Sequence, residues 1–226
     1  MKAGNVAATS VRAAAGTPAA GEKTAAIEWI QRHRRPILWV AAVVIAAGGF
    51  FAWNMYSTRQ SERVASQQLS SARFALESKN YALAASELSR ISENYSGSRS
   101  AAEASLLLAQ VRLAQGQNQQ AIDVLKQFAP GAPADYRAQA YGLLGAAYEN
   151  VSHPKEAADA YEQASRDSRL PFERAQYLSD AGRAWLATGD TSKAVAAYQE
   201  IIAKLDSTGS AFEAKVRLGE LQGAAK

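Results

Sequence analysis

The sequence has no cysteine and only two histidines, His33 and His153, among its 226 residues. The absence of cysteine excludes disulfide scaffolds, thiolate metal sites, cysteine nucleophiles and the lipidated cysteine of bacterial lipoproteins. The two histidines lie in separate segments, so a histidine-based metal site within one chain is close to excluded. We therefore expect neither a metal nor a cofactor.

Most of the chain also lacks any charge imbalance. The net charge of +4 arises entirely in residues 1–35, which hold six basic and two acidic residues. Residues 36–226 hold 19 charges of each sign. Because nucleic-acid binding relies on a basic face, we expect no nucleic-acid partner.

No catalytic constellation is visible in the sequence. There is no phosphate-binding glycine loop, no paired acid and base, and no metal-ligand spacing. Ser152-His153-Pro154-Lys155 matches the S-x-x-K spacing of serine acyl-enzymes, but the companion motifs of those enzymes are missing. We expect Ser152 to cap a helix instead. The protein is thus predicted not to be an enzyme and to take no small-molecule substrate; an enzyme with an unrecognised site is the alternative.

The N-terminal segment has the composition of a disordered tail. Residues 1–26 are rich in Ala, Gly, Ser and Thr, with no aromatic residue and no sustained apolar period. Such a segment cannot bury enough apolar area to offset the entropy that it loses on ordering. We predict a disordered tail over residues 1–31.

A long segment without charge follows this tail. No charged side chain occurs from Pro36 to Thr58, and the dense apolar part runs from Ile37 to Trp53. With residues 54–56 the span reaches the roughly 20 residues that cross a bilayer. The residues after it are bulky, whereas signal-peptide cleavage needs small ones. The sequence predicts one transmembrane helix within residues 32–58, retained as an anchor.

The flanking charges predict the orientation of this helix. Arg32, Arg34 and Arg35 crowd its N-terminal side, whereas the basic residues on the other side are sparser and partly offset by Glu62. The positive-inside rule then places the N-terminus in the cytoplasm. Residues 59–226 are expected on the far side of the membrane.

The rest of the chain repeats itself with a period of 36 or 37 residues. A small residue recurs at Ala72, Ala109, Gly145, Gly182 and Gly219. An alanine follows twelve residues after each of the first four, at Ala84, Ala121, Ala157 and Ala194. Because several independent positions keep these steps, we infer a repeat architecture.

One repeat can be interpreted as a pair of helices. Leu178, Gly182 and Trp185 have the spacing of one helical face. Gly189-Asp190 then ends the helix, and Asp190 or Thr191 can cap the next one. That second helix carries a stripe of Ala194, Tyr198 and Ile201. We expect the small residues to let the two helices approach, with aromatic side chains filling the space beside them.

This pattern resembles the tetratricopeptide repeat (TPR) over about Ala65–Leu205. Repeats start near residues 65, 102, 138 and 175; the first two fit less well, because Ala75 and Arg112 stand where Leu or an aromatic residue is expected. The resemblance implies an all-α fold, an α-solenoid of about four helix pairs within residues 59–206. A capping helix is expected within residues 207–226, and one transmembrane helix precedes the solenoid.

The resemblance also implies a groove lined by the first helices, which holds an extended peptide or a partner's helix. A surface that is merely solvated is the alternative, and the basic clamp of chaperone-tail-binding members is not present. The residues at groove positions are Arg73, Glu77, Glu103, Gln110, Gln139, Glu149, Asn150, Gln176 and Arg183.

The whole architecture from residue 32 onward resembles the ancillary Sec-translocon subunit family of bacteria. That resemblance implies an inner-membrane protein with a periplasmic TPR domain, which docks beside the translocon and passes chains to periplasmic chaperones. The alternative is an envelope scaffold for cell division, cell-wall synthesis or another secretion assembly. Both interpretations predict protein partners.

Overall fold

A computed structural model describes residues 34–224, except for the side chains of residues 34–38, 40, 41, 54 and 224. The chain divides into two units, Met1–Met55 and Tyr56–Lys226. Within the described residues there are nine α-helices, one short 3-10 turn and no strand. The predicted tail and Arg32 lie outside the described residues, as do the side chains of Arg34 and Arg35.

The first helix, α1, runs from Arg34 to Glu77. In the first unit its described large side chains are exposed to solvent: Trp39, Val43, Val44, Ile45, Phe50, Phe51, Trp53 and Met55. In the part of the chain that is described, no helix has the length and apolarity needed to cross a membrane. The expected span, Pro36–Thr58, is only partly described, and the transmembrane helix stays a prediction.

The second unit is an array of antiparallel helix pairs. The C-terminal part of α1 pairs with α2, and three further pairs and a last single helix follow. Their bounds are α2 Tyr81–Asn94, α3 Arg99–Ala114, α4 Asn118–Phe128, α5 Ala134–Asn150, α6 Pro154–Asp167, α7 Pro171–Thr188, α8 Thr191–Lys204 and α9 Ser210–Ala224. A 3-10 turn, Ala129–Gly131, follows α4.

The core of this unit is a row of buried clusters, each shared by neighbouring pairs. In the third and fourth pairs the rings of Tyr161 and Tyr198 lie against Gly145 and Gly182. In the first two pairs Ala72 and Ala109 are fully buried at the glycine position, and Leu88 and Leu125 take the place of the tyrosines. The structure therefore confirms the all-α solenoid of TPR-like pairs and the contact between small and aromatic residues.

The turn inside each pair has the same backbone geometry in all four pairs. One residue adopts the left-handed conformation at φ values of 56°, 71°, 59° and 84°: Lys79, Gly116, Ser152 and Gly189. The next backbone N–H then donates to the carbonyl five residues back, as Asp190 does to Trp185 at 3.1 Å. This is the hydrogen-bond pattern of a Schellman C-cap.

Two sequence-based expectations about these turns have different outcomes. Of the two candidate caps of α8, Asp190 is the one that serves: its side chain accepts a hydrogen bond from the backbone N–H of Lys193 at 3.1 Å, and Thr191 is the first residue of the helix. The expectation that Ser152 caps α6 is wrong. Ser152 is the left-handed residue of the turn, and α6 begins at Pro154 with no side-chain cap. Residue 152 is part of the turn that ends α5, so it lies too early in the chain to be the residue that directly precedes α6.

Charged side chains join one pair to the next at the start of the first helices. The carboxylate of Glu62 in α1 accepts hydrogen bonds from the backbone N–H groups of Arg99, at 2.7 Å, and Ser100, at 3.2 Å. It thereby satisfies two of the unpaired N–H groups at the N-terminus of α3. Asp135 at the start of α5 pairs with Arg99 at 3.4 Å and with Arg169 at 3.1 Å.

The last helix, α9, covers the end of the array. It packs on α7 and α8, and the side chains that it buries there are small, Ala211 and Ala214. Gly219 is in phase with Gly145 and Gly182, but no side chain lies within 4 Å of the position that its Cβ would take. Thus α9 closes the core as a single helix: within the described chain no further helix follows it to complete a pair.

Candidate partner-binding face

The nine residues predicted for the groove lie on the first helices of the four pairs. Arg73 and Glu77 are in α1, two are in α3, three in α5 and two in α7. None of them is buried. Among these helices, α3 contacts α5, and α7 contacts α9, the single helix that follows the last pair. We call the surface formed by these nine residues the groove face.

At the N-terminal end of the groove face, an ion pair crosses from one repeat to the next. The guanidinium of Arg73 in α1 donates to the carboxylate of Glu103 in α3. Both side chains are partly exposed, so the pair adds little stability. The ion pair matters more for the charge of the groove face, because the positive charge of Arg73 and the negative charge of Glu103 neutralise each other.

In the C-terminal half, Glu149 joins side chains from three helices. Its carboxylate accepts hydrogen bonds from Arg183 in α7, at 2.8 Å, and from the hydroxyl of Tyr161 in α6, at 2.8 Å. Arg183 also donates to Asp180 at 2.8 Å. Burial, and then the hydrogen bond to Glu149, raise the pKa of the Tyr161 hydroxyl. Arg183 is therefore held by two carboxylates and is not an uncompensated cation.

At the middle of the groove face the polar side chains are not paired with one another. Gln110 in α3 and Gln139 in α5 make no hydrogen bond within the part of the chain that the structure describes. Leu106 beside them is buried and Leu113 is half-buried. A primary amide both donates and accepts hydrogen bonds. These two side chains can therefore pair with N–H and C=O groups of an extended backbone.

The remaining predicted residues are not brought into one cluster. The amide of Asn150 donates to Asn118 at the start of α4, at 3.1 Å, and so faces the turn of a neighbouring pair. Gln176 lies 3.5 Å from the carboxylate of Asp180. Glu77 is exposed at the end of α1. Sequence reasoning missed Asp180 and Tyr161, which lie outside the family's groove positions and take part only because the helices stack.

A pocket that the sequence did not indicate lies between α7 and α9. Its volume is about 540 Å³, and the residues that line it are Phe172, Glu173, Gln176, Tyr177, Gly209, Ser210 and Glu213. Among these only Gln176 was predicted. No local pattern could have revealed the pocket, because α7 and α9 are separated by the whole of α8 and meet only in the folded chain.

A larger cleft of about 770 Å³ lies between α2, α3 and α4. Its polar lining includes Ser89, Ser92, Ser96, Ser98, Ser105, Glu93 and Arg99. Most of these hydroxyls already have partners within the chain: Ser89 donates to Glu93 at 2.7 Å, and Ser98 caps α3. The cleft carries one charge of each sign, so it shows no charge preference for a ligand.

The described residues contain no group of three or more His, Asp or Glu side chains that could hold a metal ion. Four charged residues of the groove face pair with one another, Arg73 with Glu103 and Arg183 with Glu149. Of the nine residues, Gln176 alone lines one of the two cavities described above. This arrangement suits the recognition of an extended chain better than the holding of a cofactor.

Comparison with known proteins agrees with this fold. Residues 64–170 match the family model described as "Tetratricopeptide repeat-like domain". No curated protein matches the sequence. The chain therefore contains a TPR-like domain, and such domains are protein–protein interaction modules.

Two similar crystal structures contain nearly identical TPR-like repeats from a Podosopora anserina protein assigned as a kinesin light chain. One is 21% identical and covers 73% of this chain and 88% of that chain, with a TM-score of 0.55. The other is a variant with a single substitution; it is 20% identical and covers 73% and 87%, with a TM-score of 0.54. At this identity the likeness shows the fold alone.

Proposed function

We propose that the protein is a membrane-anchored adaptor whose groove face binds an extended segment of a partner protein, without catalysis. The observation that supports this proposal most is that the amides of Gln110 and Gln139 make no hydrogen bond within the described chain. They lie at the middle of the groove face, where the ion pairs join side chains of the protein to one another. An extended segment offers backbone N–H and C=O groups along its length, and these match the amides. The half-buried Leu113 beside them gives an apolar contact for a side chain of that segment.

The internal ion pairs explain why we propose a chain segment as the ligand and not a charged terminus. A groove that captures a C-terminal carboxylate needs unpaired cations. Here Arg73 is paired with Glu103, and Arg183 with Glu149 and Asp180. Binding would therefore depend on backbone groups and apolar side chains in the middle of the face.

The anchor is proposed from the uncharged run Pro36–Thr58, whose described large side chains are exposed. Apolar side chains that face outward on a helix suit a lipid surrounding. We propose a single pass, with the N-terminus in the cytoplasm on the strength of Arg32, Arg34 and Arg35. The TPR-like domain would then lie on the outer side of a bacterial inner membrane.

In that setting the resemblance to the ancillary Sec-translocon subunit suggests the partners. Chains that leave a translocon are extended, which is the form that a groove of this kind accepts. We therefore propose that the protein assists the translocon or passes emerging chains to periplasmic chaperones. An envelope scaffold for cell division, cell-wall synthesis or another secretion assembly would use the same face with a different partner.

Crosslinking in membranes tests this proposal. A photoreactive amino acid is placed at Gln110 or Gln139 in the full-length chain, and at Asp123 or Glu156 as controls, because these are exposed on second helices. We expect Gln110 and Gln139 to capture translocon components, emerging chains or chaperones, identified by mass spectrometry, and the control positions not to. Capture of cell-wall synthases alone would replace the translocon role with the scaffold role. Equal capture at all four positions would refute the use of the groove face.

The topology is tested separately. Protease added to spheroplasts should remove residues 59–226 and spare the N-terminal tail. Survival of the C-terminal domain under these conditions would contradict the proposed orientation, whatever the crosslinking result. Extraction of the chain by alkaline carbonate would contradict the membrane anchor itself.

A further inference from the structure

The pocket between α7 and α9 carries a charge preference that the groove face lacks. We infer that it binds a lysine or arginine side chain of the partner segment, with an apolar residue beside that side chain in the partner's sequence. This inference rests on the proposed function and adds the class of segment that the protein selects. We call the seven lining residues the C-terminal pocket.

The composition of the C-terminal pocket is the first argument. Its lining includes two carboxylates, Glu173 and Glu213, two aromatic rings, Phe172 and Tyr177, and no basic residue. A cavity of about 540 Å³ is large enough for one long side chain. By contrast, the cleft between α2, α3 and α4 is lined by both Glu93 and Arg99.

Neither carboxylate of the C-terminal pocket forms an ion pair with a basic side chain of the described chain. Glu173 accepts a hydrogen bond from the hydroxyl of Ser168 at 3.0 Å, a neutral donor that leaves the charge in place. Glu213 is exposed. The basic side chains on α7, α8 and α9 are mostly engaged elsewhere: Arg174 with Glu200, Arg183 with Glu149 and Asp180, Arg217 with Glu220, Lys204 with Glu200 and Lys193 with Asp190. Lys215 is exposed on α9.

The hydroxyl of Tyr177 reports the same negative environment. Burial raises its pKa first, and the charges of Glu173 and Asp180 raise it further. A field that disfavours the tyrosinate anion at this place favours a cation there. The Tyr177 ring itself is held against Gly142 of α5, so it forms a fixed wall of the pocket.

Exposed aromatic rings supply the second part of the recognition. Phe172 at the start of α7 is 62% exposed, and Phe212 at the start of α9 is 76% exposed. A cation over an aromatic face is attracted by the ring quadrupole. Phe212 and Val216, four residues apart on α9 and both exposed, form an apolar strip. An apolar residue next to the bound cation would contact this strip.

Peptide binding to the full-length chain tests the inference. The probe is a fluorescein-labelled peptide, Gly-Ser-Lys-Leu-Lys-Phe-Ser-Gly, measured by fluorescence anisotropy at low and physiological salt. Its comparison peptides carry Gln or Glu in place of both lysines. We expect the Lys peptide to bind about five- to tenfold more tightly than the Gln peptide, from two partly screened charge contacts, and the Glu peptide to bind most weakly.

Two variants assign this preference to the C-terminal pocket. E173Q/E213Q should remove most of the difference between the Lys and Gln peptides, whereas the control D123N/E156Q, with the same charge change on second helices, should keep it. Phe172→Leu keeps an apolar side chain but removes the ring, so it should weaken the Lys peptide more than the Gln peptide. Equal binding of Lys and Gln peptides, no binding of either, or an unchanged preference in E173Q/E213Q would each overturn the inference.

The failure of this inference is distinguishable from the failure of the proposed function. Crosslinking at Gln110 and Gln139 together with equal binding of the Lys and Gln peptides would support the use of the groove face and refute the role of the C-terminal pocket. A Lys preference that depends on the C-terminal pocket, with no specific crosslinking at Gln110 or Gln139, would support the pocket and refute the proposed use of the groove face.

Discussion

The ring of Tyr161 lies so close to Gly145 that a Cβ atom added to this glycine would come within 2.7 Å of it. The hydroxyl of the same tyrosine donates to Glu149, one helical turn further along α5, at 2.8 Å. The ring is thus held at one end by a hydrogen bond and along its side by the helix backbone. This contact joins the packing of the third pair to the groove face, because Glu149 also binds Arg183.

Gly145→Ala should therefore destabilise the protein. Alanine has the better helix propensity, by about 1 kcal/mol, but overpacking against a ring that cannot turn costs typically about 1–3 kcal/mol. The packing cost less the gain in helix propensity leaves an expected fall of up to about 2 kcal/mol in the free energy of unfolding. Urea denaturation of the full-length chain, followed by circular dichroism, measures this change.

Gly219→Ala is the matched control for that experiment. It is the same substitution at the equivalent position of α9, where no atom beyond the local backbone of α9 lies within 4 Å of the added Cβ. Only helix propensity changes there, so we expect a gain of about 0.5–1 kcal/mol. Destabilisation by Gly219→Ala would mean that this face of α9 is covered, and a gain in stability from Gly145→Ala would refute the close contact with Tyr161.

The four left-handed turn residues give a second prediction. Gly189→Ala should destabilise the protein by about 1–2 kcal/mol, because a side chain at φ 84° meets the following carbonyl. Ser152→Gly, at φ 59° in the equivalent turn, should stabilise it by about 1 kcal/mol for the same reason. Thermal or urea denaturation measures both. Effects of the same sign for the two substitutions would contradict a shared turn geometry.

Glu62 gives a third prediction, about the coupling between pairs. Glu62→Ala leaves two N–H groups at the start of α3 without their protein partner, and losing a helix cap costs typically about 1 kcal/mol. We expect a loss of about 1–2 kcal/mol. Glu93→Ala is the control, because Glu93 accepts a hydrogen bond only within its own helix, from Ser89. Equal effects of the two substitutions would show that Glu62 does not cap α3.

The raised pKa of Tyr161 predicts a dependence of stability on alkaline pH. The unfolded chain has a tyrosine pKa of about 10, and the folded value is higher because of burial and then the hydrogen bond to Glu149. The folded state thus still holds the proton at pH values where the unfolded chain has lost it. The stability that the protonated Tyr161 contributes is therefore present below about pH 10 and is lost as the pH rises above it.

Tyr161→Phe isolates this contribution, because it keeps the ring and removes the ionisable group. At pH 7 we expect it to cost about 0.5–1.5 kcal/mol, the value of one hydrogen bond. From about pH 10 upward the wild-type chain should lose stability faster than the variant, so the difference between them should shrink. Parallel stability curves from about pH 8 to 12 would contradict the shifted pKa.

Much of the fold could be predicted from the sequence because its pattern is local. The recurrence of Ala72, Ala109, Gly145 and Gly182 identifies the first helices, and the alanines twelve residues later identify the second ones. Breaks at Gly116 and Gly189 are typical helix ends. The turns at Lys79 and Ser152 adopt the same left-handed geometry without glycine, and for that reason residue type alone did not reveal it.

The candidate site was predictable only in part. The family's groove positions indicated which residues share a face, and the structure places all nine on the first helices. Which of them compensate one another was not predictable: Glu149 pairs with Arg183, and Arg73 with Glu103. Partners about 30 residues apart in sequence meet only through the angle at which successive helix pairs stack.

The α-helical repeat and its period are predictable from the chain alone, because they follow from side-chain spacing along one helix, which is set by the roughly 3.6-residue turn. Composition alone separates the uncharged apolar segment from the neutral domain. Three features appear only when the helices are packed together: which charges of the groove face are paired, how Glu62 caps α3, and the acidic, aromatic pocket between α7 and α9. The reason is geometric, since contacts between different helices depend on distances across the core that no local spacing contains.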